Sequence, residues 1–129
     1  MATAKIFIVE DEFIIAKGLA RKLENLDYEV VGIASSGNEA LEQIEETSPD
    51  LVLMDIAIEG DMDGIETATK LHQDFNIPVI YLTAYGDDKT LERAEDSGCY
   101  GYILKPFKHK EVHAAIRMAL KKHQTLQSL

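Results

Sequence analysis

The chain has 129 residues, is 46% hydrophobic, and carries 23 acidic against 13 basic side chains for a net charge of −10, with one Cys and no Trp. At this length a single core buries about two-thirds of the surface the unfolded chain would expose, so neither disorder nor a dependence on disulfide or metal staples fits. A lone Cys99, no apolar stretch of membrane-spanning length, and an opening MATAK followed by only four apolar residues lead us to expect a cytoplasmic protein with no direct nucleic-acid or membrane contact.

In chain order, the first apolar run, Lys5–Val9, reads as a strand and is followed by a helical stripe at Ile15, Leu19, Leu23 and Leu26. A second strand over Tyr28–Ala34 leads to Ser36 and Glu39, spaced as a capping box, and to a helix with Ala40, Leu41 and Ile44 on one side. Ser48-Pro49 stops that helix before a third strand, Leu51–Met54. Asp63 and Glu66 repeat the capping-box spacing, a third helix carries Ala68, Leu71 and Phe75, and Asn76-Ile77-Pro78 ends it. The strand Pro78–Thr83, a helix with Leu91 and Ala94, the strand Gly101–Leu104 and a last helix with Val112, Ile116, Ala119 and Leu120 complete the pattern. Only a few residues around Thr125–Leu129 remain after it. From Lys105 onward there are six basic residues and one acid, Glu111, so acidity concentrates upstream and the last helix has a basic, solvated face.

Strand runs this continuous in Ile, Val, Leu and Phe suit positions buried on both faces of a sheet. Alternation with helices predicts an α/β doubly wound fold of the flavodoxin-like (βα)5 type, with a five-stranded parallel sheet in the order 2-1-3-4-5 and helices on both faces. Residues 1–129 are expected to form a single domain with no output domain in this chain. In such sheets ligands bind beyond the carboxyl ends of the strands, at the point between strands one and three where the winding direction changes. Those ends supply Glu10-Asp11-Glu12, Asp55, Thr83-Ala84 and Lys105-Pro106.

Taken singly, each has a structural explanation. The acidic triplet could cap the first helix, Thr83 is a good strand former, and Lys105 could be an ordinary surface lysine. Asp55 has no such role, because Asp63 already caps the helix that follows. With neighbouring strands about 4.8 Å apart, Glu10, Asp11 and Asp55 should crowd, and two unit charges about 4 Å apart repel by roughly 1–4 kcal/mol depending on dielectric. Hard oxygen ligands at an open edge suit Mg2+, with Mn2+ as a substitute. A cation, a lysine ammonium and a hydroxyl together form a site that can hold a phosphoryl group while a carboxylate acts as nucleophile.

The segments FIVEDE, LVLMDI, MDGIE, YLTAY and GYILKPF, in this order and over essentially the whole chain, resemble the receiver domain of two-component response regulators. The resemblance implies a phosphorelay protein that accepts a phosphoryl group on Asp55 from a histidine kinase or histidine phosphotransfer protein. It implies Mg2+ on Glu10, Asp11, Asp55 and the Ala57 carbonyl, Lys105 paired with the phosphoryl group, and Thr83, with Ala84 beside it, supplying a hydroxyl. It also implies a two-state switch in which Thr83 moves toward the phosphoryl group and Tyr102 turns inward. The output surface would then be helix four, strand five and helix five, open to a downstream partner, an output domain elsewhere or a second copy. A cis Lys105-Pro106 bond is implied as well. The chain departs from the common pattern at Glu10, where many receivers have Asp, and over Ile56–Asp63, one residue longer and bearing Glu59 and Asp61. Positions two after the acceptor and two after the threonine are Ala57 and Tyr85; neither is a general base, so slow self-hydrolysis is expected.

Two other classes remain open at this point. A phosphatase resembling the haloacid dehalogenases would need its nucleophile in a DxD motif after the first strand, which Glu10-Asp11-Glu12 does not supply. A pseudo-receiver would keep the fold as a binding module without phosphorylation. An FMN site of the flavodoxin type would meet acids where phosphate must sit. His109 and His113, spaced i and i+4, read as solvated histidines rather than zinc ligands, and Cys99 as a packed thiol.

Overall fold

The computed structural model describes residues 3–84 and 88–129, so Tyr85 lies outside the described residues. Strands β1 (Lys5–Val9), β2 (Glu29–Ala34), β3 (Leu51–Asp55), β4 (Val79–Thr83) and β5 (Tyr102–Leu104) alternate with helices α1 (Phe13–Asn25), α2 (Gly37–Thr47), α3 (Gly64–Phe75), α4 (Asp88–Asp96) and α5 (His109–Gln127). All neighbouring strands are parallel, and their order is β2-β1-β3-β4-β5, as the alternation predicts.

Side chains alternate along each strand, so the sheet feeds two cores. Ile6, Ile8, Leu51, Leu53, Ile80 and Leu82 meet Leu19 and Leu23 of α1 and Val112 and Ile116 of α5. Phe7, Val9, Val52, Met54 and Tyr81 face the other way, against Ala40 and Ile44 of α2, Ala68 and Leu71 of α3, and Ala94 of α4. β1, β3 and β4 thus have both faces covered, which accounts for their unbroken apolar runs. No helix among the described residues is long and apolar enough to cross a membrane.

Helix ends follow the local chemistry with instructive differences. Asp63 and Glu66 form a complete reciprocal capping box on α3. At α2 only half forms: Ser36 accepts from the Glu39 N–H, while the Glu39 carboxylate turns to the Ser35 hydroxyl at 3.1 Å. Ser48 and Asn76 end α2 and α3 in the left-handed conformation. On α1 the buried side is Ala16, Leu19, Ala20 and Leu23, with Ile15 only partly covered and Phe13 and Ile14 fully outward. α5 runs farther than its apolar stripe suggests, leaving only Ser128 and Leu129 beyond it. His113 is half-buried rather than solvated, its Nδ1 3.1 Å from the Tyr28 hydroxyl, whereas His109 is exposed. Cys99 is half-buried, and burial pushes its thiol pKa up, which suits a packed, unreactive side chain.

Gly64 sets how closely α3 approaches the end of β3. Its N–H donates to the Ile56 carbonyl at 2.8 Å, and a Cβ there would collide with the Asp55 carbonyl oxygen and press on the Ile56 Cα. Both obstacles are backbone and cannot swing aside. Gly64→Ala should therefore destabilise the protein by about 1–3 kcal/mol, read as a lower midpoint in urea unfolding.

Candidate functional site

The polar residues at the carboxyl end of the sheet are placed by the ladder itself. Glu10 continues β1 by donating its N–H to the Ala34 carbonyl at 2.9 Å, and Lys105 continues β5 by donating its N–H to the Thr83 carbonyl at 2.9 Å. Asp55 is the last residue of β3, in register with Leu82 of β4, so Thr83 lies one residue further toward the rim. Because β1 and β3 are adjacent, Glu10, Asp11 and Asp55 each bring a carboxylate oxygen to within 4.8 Å of the others. Glu10 is only 2% exposed and Asp55 4%, while Asp11 is half-open to solvent.

Lys105 holds this cluster together. Its Nζ donates to Asp55 Oδ2 at 2.7 Å and to Glu10 Oε1 at 2.8 Å. The remaining oxygens of both acids are met by backbone: the Ala57 N–H donates to Asp55 Oδ1 at 3.0 Å, and the Glu12 N–H donates to Glu10 Oε2 at 3.2 Å. Glu12 occupies the N-cap position of α1 but makes no side-chain cap bond. The acidic triplet is therefore not consumed by capping. The extra methylene of Glu10 does not cost it a place at the site, since its carboxylate reaches Lys105.

Thr83 is buried at the end of β4, and Ala84 just beyond it is exposed. Tyr102 is 47% exposed on β5, turned outward. The long segment after Asp55 is anchored at several points. Ile56 and Ile58 are buried, Glu59 forms a β-bridge with Ser36, Gly60 takes a positive φ of 108°, and Asp63 Oδ2 accepts from Arg93 of α4 at 2.8 Å. Glu59 and Asp61 stay exposed. The Lys105-Pro106 peptide bond is cis, as the resemblance implies. Sequence reasoning missed the two backbone amides on Glu10 and Asp55 and the Arg93–Asp63 pair. The amides follow from chain turns that no side-chain pattern reports, and the ion pair joins residues of two separate helix segments.

Among the described residues one ammonium faces three carboxylates, so the site is short of positive charge. Burial, and then the adjacent Asp55 carboxylate, push the Glu10 pKa up to about 7, against the pull of Lys105 and the Glu12 N–H. Burial opposes the charge on Lys105, but its bonds to Asp55 and Glu10 outweigh that and raise its pKa. An all-oxygen donor set with surplus negative charge and one side open to water fits a hard divalent cation such as Mg2+.

The family model described as response regulator receiver domain matches residues 6–117. The chain belongs to this family. The receiver is 36% identical over 125 residues to the transcriptional regulatory protein PdtaR of Mycobacterium tuberculosis, a match covering 97% of this chain and 60% of the relative. It is 40% identical over 117 residues to the response regulator protein VraR of Staphylococcus aureus, covering 89% and 56%. The chain thus spans somewhat more than half the length of these relatives. The solved signal receiver domain of a modulated diguanylate cyclase from Desulfovibrio desulfuricans aligns with a TM-score of 0.91 at 35% identity, covering 96% of this receiver and 98% of that chain. The sheet order and the element pattern are those of a receiver.

The raised Glu10 pKa fixes the sign of a pH effect in the metal-free protein. An unfolded Glu loses its proton near 4.5, whereas folded Glu10 keeps it to about 7, so its contribution to stability is complete below 4.5 and is lost as pH rises through 7. Urea unfolding in EDTA from pH 5 to 8 should show a decline that the Glu10→Gln variant lacks.

Proposed function

We propose that this receiver takes a phosphoryl group on Asp55 and passes the signal on as a switch rather than as a turnover enzyme. The observation that carries this reading is the Lys105 ammonium bonded to both Asp55 and Glu10 inside a three-carboxylate rim. A phosphohistidine from a sensor kinase or histidine phosphotransfer protein would be the donor. An Asp55 carboxylate oxygen attacks phosphorus, the P–N bond breaks, and imidazole leaves with a proton, forming an aspartyl phosphate. Glu10, Asp11, Asp55 and the Ala57 carbonyl would hold Mg2+, or Mn2+ in its place. When bound, such an ion supplies positive charge to phosphoryl oxygens.

In this reading the Ala57 N–H fixes one Asp55 oxygen, limiting rotation of the nucleophile, and Lys105 shifts its hydrogen bonds from the carboxylates to the phosphoryl oxygens. The Thr83 hydroxyl, with Ala84 alongside, completes the oxygen-binding edge, and Tyr102 turns inward behind Thr83. A dianion at the rim offers new hydrogen bonds in only one loop arrangement, which biases a pre-existing equilibrium. The face formed by α4, β5 and α5 then meets a downstream partner, an output domain or a second copy. Its location is the cytoplasm.

Incubation with acetyl phosphate and Mg2+, followed by intact-mass measurement, should add one phosphoryl group to the wild-type chain and none to Asp55→Asn. Steady release of phosphate from esters would indicate a phosphatase instead, and no uptake a pseudo-receiver. The phosphorylated form should persist for minutes or longer, because Ala57 offers no base to activate water. With Trp absent, ion binding is best followed by calorimetry, where Asp11→Asn should weaken Mg2+ by at least about tenfold through loss of one ligand charge.

A further inference from the structure

Lys105 can serve the site only if the segment that carries it past the end of β5 is held still. At its start that segment is tied to β4 through the Lys105 N–H and Thr83 carbonyl. Two residues on, the Phe107 carbonyl accepts a hydrogen bond at 2.9 Å from Nζ of Lys22, a residue 85 positions away on α1. Lys22 is half-buried, and with Ile15, Gly18, Leu19, Lys105 and Pro106 it lines a hollow of about 420 Å³ between α1 and the β5–α5 connection. The α5 N-cap, Lys108, contributes no side-chain cap bond. The tie to α1 therefore falls on the stretch between the last rung of the sheet and the first turn of the helix. α1 in turn is seated on the core by Ala16, Leu19, Ala20 and Leu23, so it offers a rigid support.

We infer that Lys22 is a positioning residue for phosphoryl transfer: by bracing the Phe107 carbonyl against α1 it holds the Lys105 ammonium over Asp55. Lys22 contacts neither carboxylate among the described hydrogen bonds and ion pairs, so it acts through the backbone of the connection. The inference rests on Asp55 being the acceptor. Acetyl phosphate is the donor of choice for testing it, because a small molecule needs no protein–protein docking and any effect of Lys22 on partner binding drops out.

Replacing Lys22 by Met keeps the apolar stem and removes the donor, at the cost of one hydrogen bond. In Lys22→Met the rate of phosphoryl uptake at saturating acetyl phosphate and Mg2+ should fall by about 3- to 10-fold, while the half-saturating donor concentration stays unchanged. Hydrogen exchange at the Lys105 amide, measured without any ion, should accelerate by a similar factor. Lys22→Arg, which can still donate to a single carbonyl, should restore both; Lys22→Gln, with a shorter side chain, should not. Wild-type uptake and exchange rates in Lys22→Met, or a failure of Lys22→Arg to restore them, would overturn the assignment while leaving the acceptor role of Asp55 intact. Absence of uptake by the wild-type chain would overturn both.

Discussion

Crowding of carboxylates at a strand end is the constraint around which this molecule is arranged. Parallel pairing of β1 with β3 brings Glu10, Asp11 and Asp55 together whether or not charge favours it, because the apolar residues behind them fix the register. A sheet whose three central strands, β1, β3 and β4, are apolar and covered on both faces can impose that cost. Each core strand buries side chains on both faces, and the sum greatly exceeds the repulsion at one rim. Among the described residues the charge of the rim is offset by one ammonium, and Lys105 comes from the far side of β4, so the fold must be complete before the acids are compensated.

The supports around the rim are mostly backbone. Amides of Ala57 and Glu12 each donate to one carboxylate oxygen, and the close approach of α3 depends on the missing side chain of Gly64. Backbone donors cost no side-chain entropy to position, and they hold their geometry when neighbouring side chains rearrange. α4 is the lightest-seated helix of the described set. Its buried residue is Ala94, and beyond that it is tied by Arg93 to Asp63 and, just past its end, by Ser97 to the Tyr81 hydroxyl at 2.6 Å.

Most of the architecture was legible because buried parallel strands leave unbroken apolar runs, and helices leave stripes and caps. Strand order followed from the handedness of the crossovers, and with it the convergence of Glu10, Asp11, Asp55, Thr83 and Lys105 on one edge. Boundaries slipped by one residue at strand ends: Tyr28, Pro78 and Gly101 each precede their strand, although the Pro78 and Gly101 carbonyls still accept from Val52 of β3 and Tyr81 of β4, and Asp55 belongs to β3 without being apolar. The exposure of Ile14 and burial of Ala16 were hidden because both are apolar and lie on the same helix. Lys22 left no trace, since an exposed lysine and a bracing lysine look alike until the residue 85 places away is known. His113 was misjudged for the same reason, its partner Tyr28 being distant in sequence.

One edge of the sheet is the three-residue β5, with Tyr102 and Leu104 both half-exposed. A border so brief presents few free amides and carbonyls for a stray extended chain to zip onto. Apolar and aromatic groups such as Tyr102 and Leu104 can therefore stand in solvent there with little template beside them for edge-to-edge pairing.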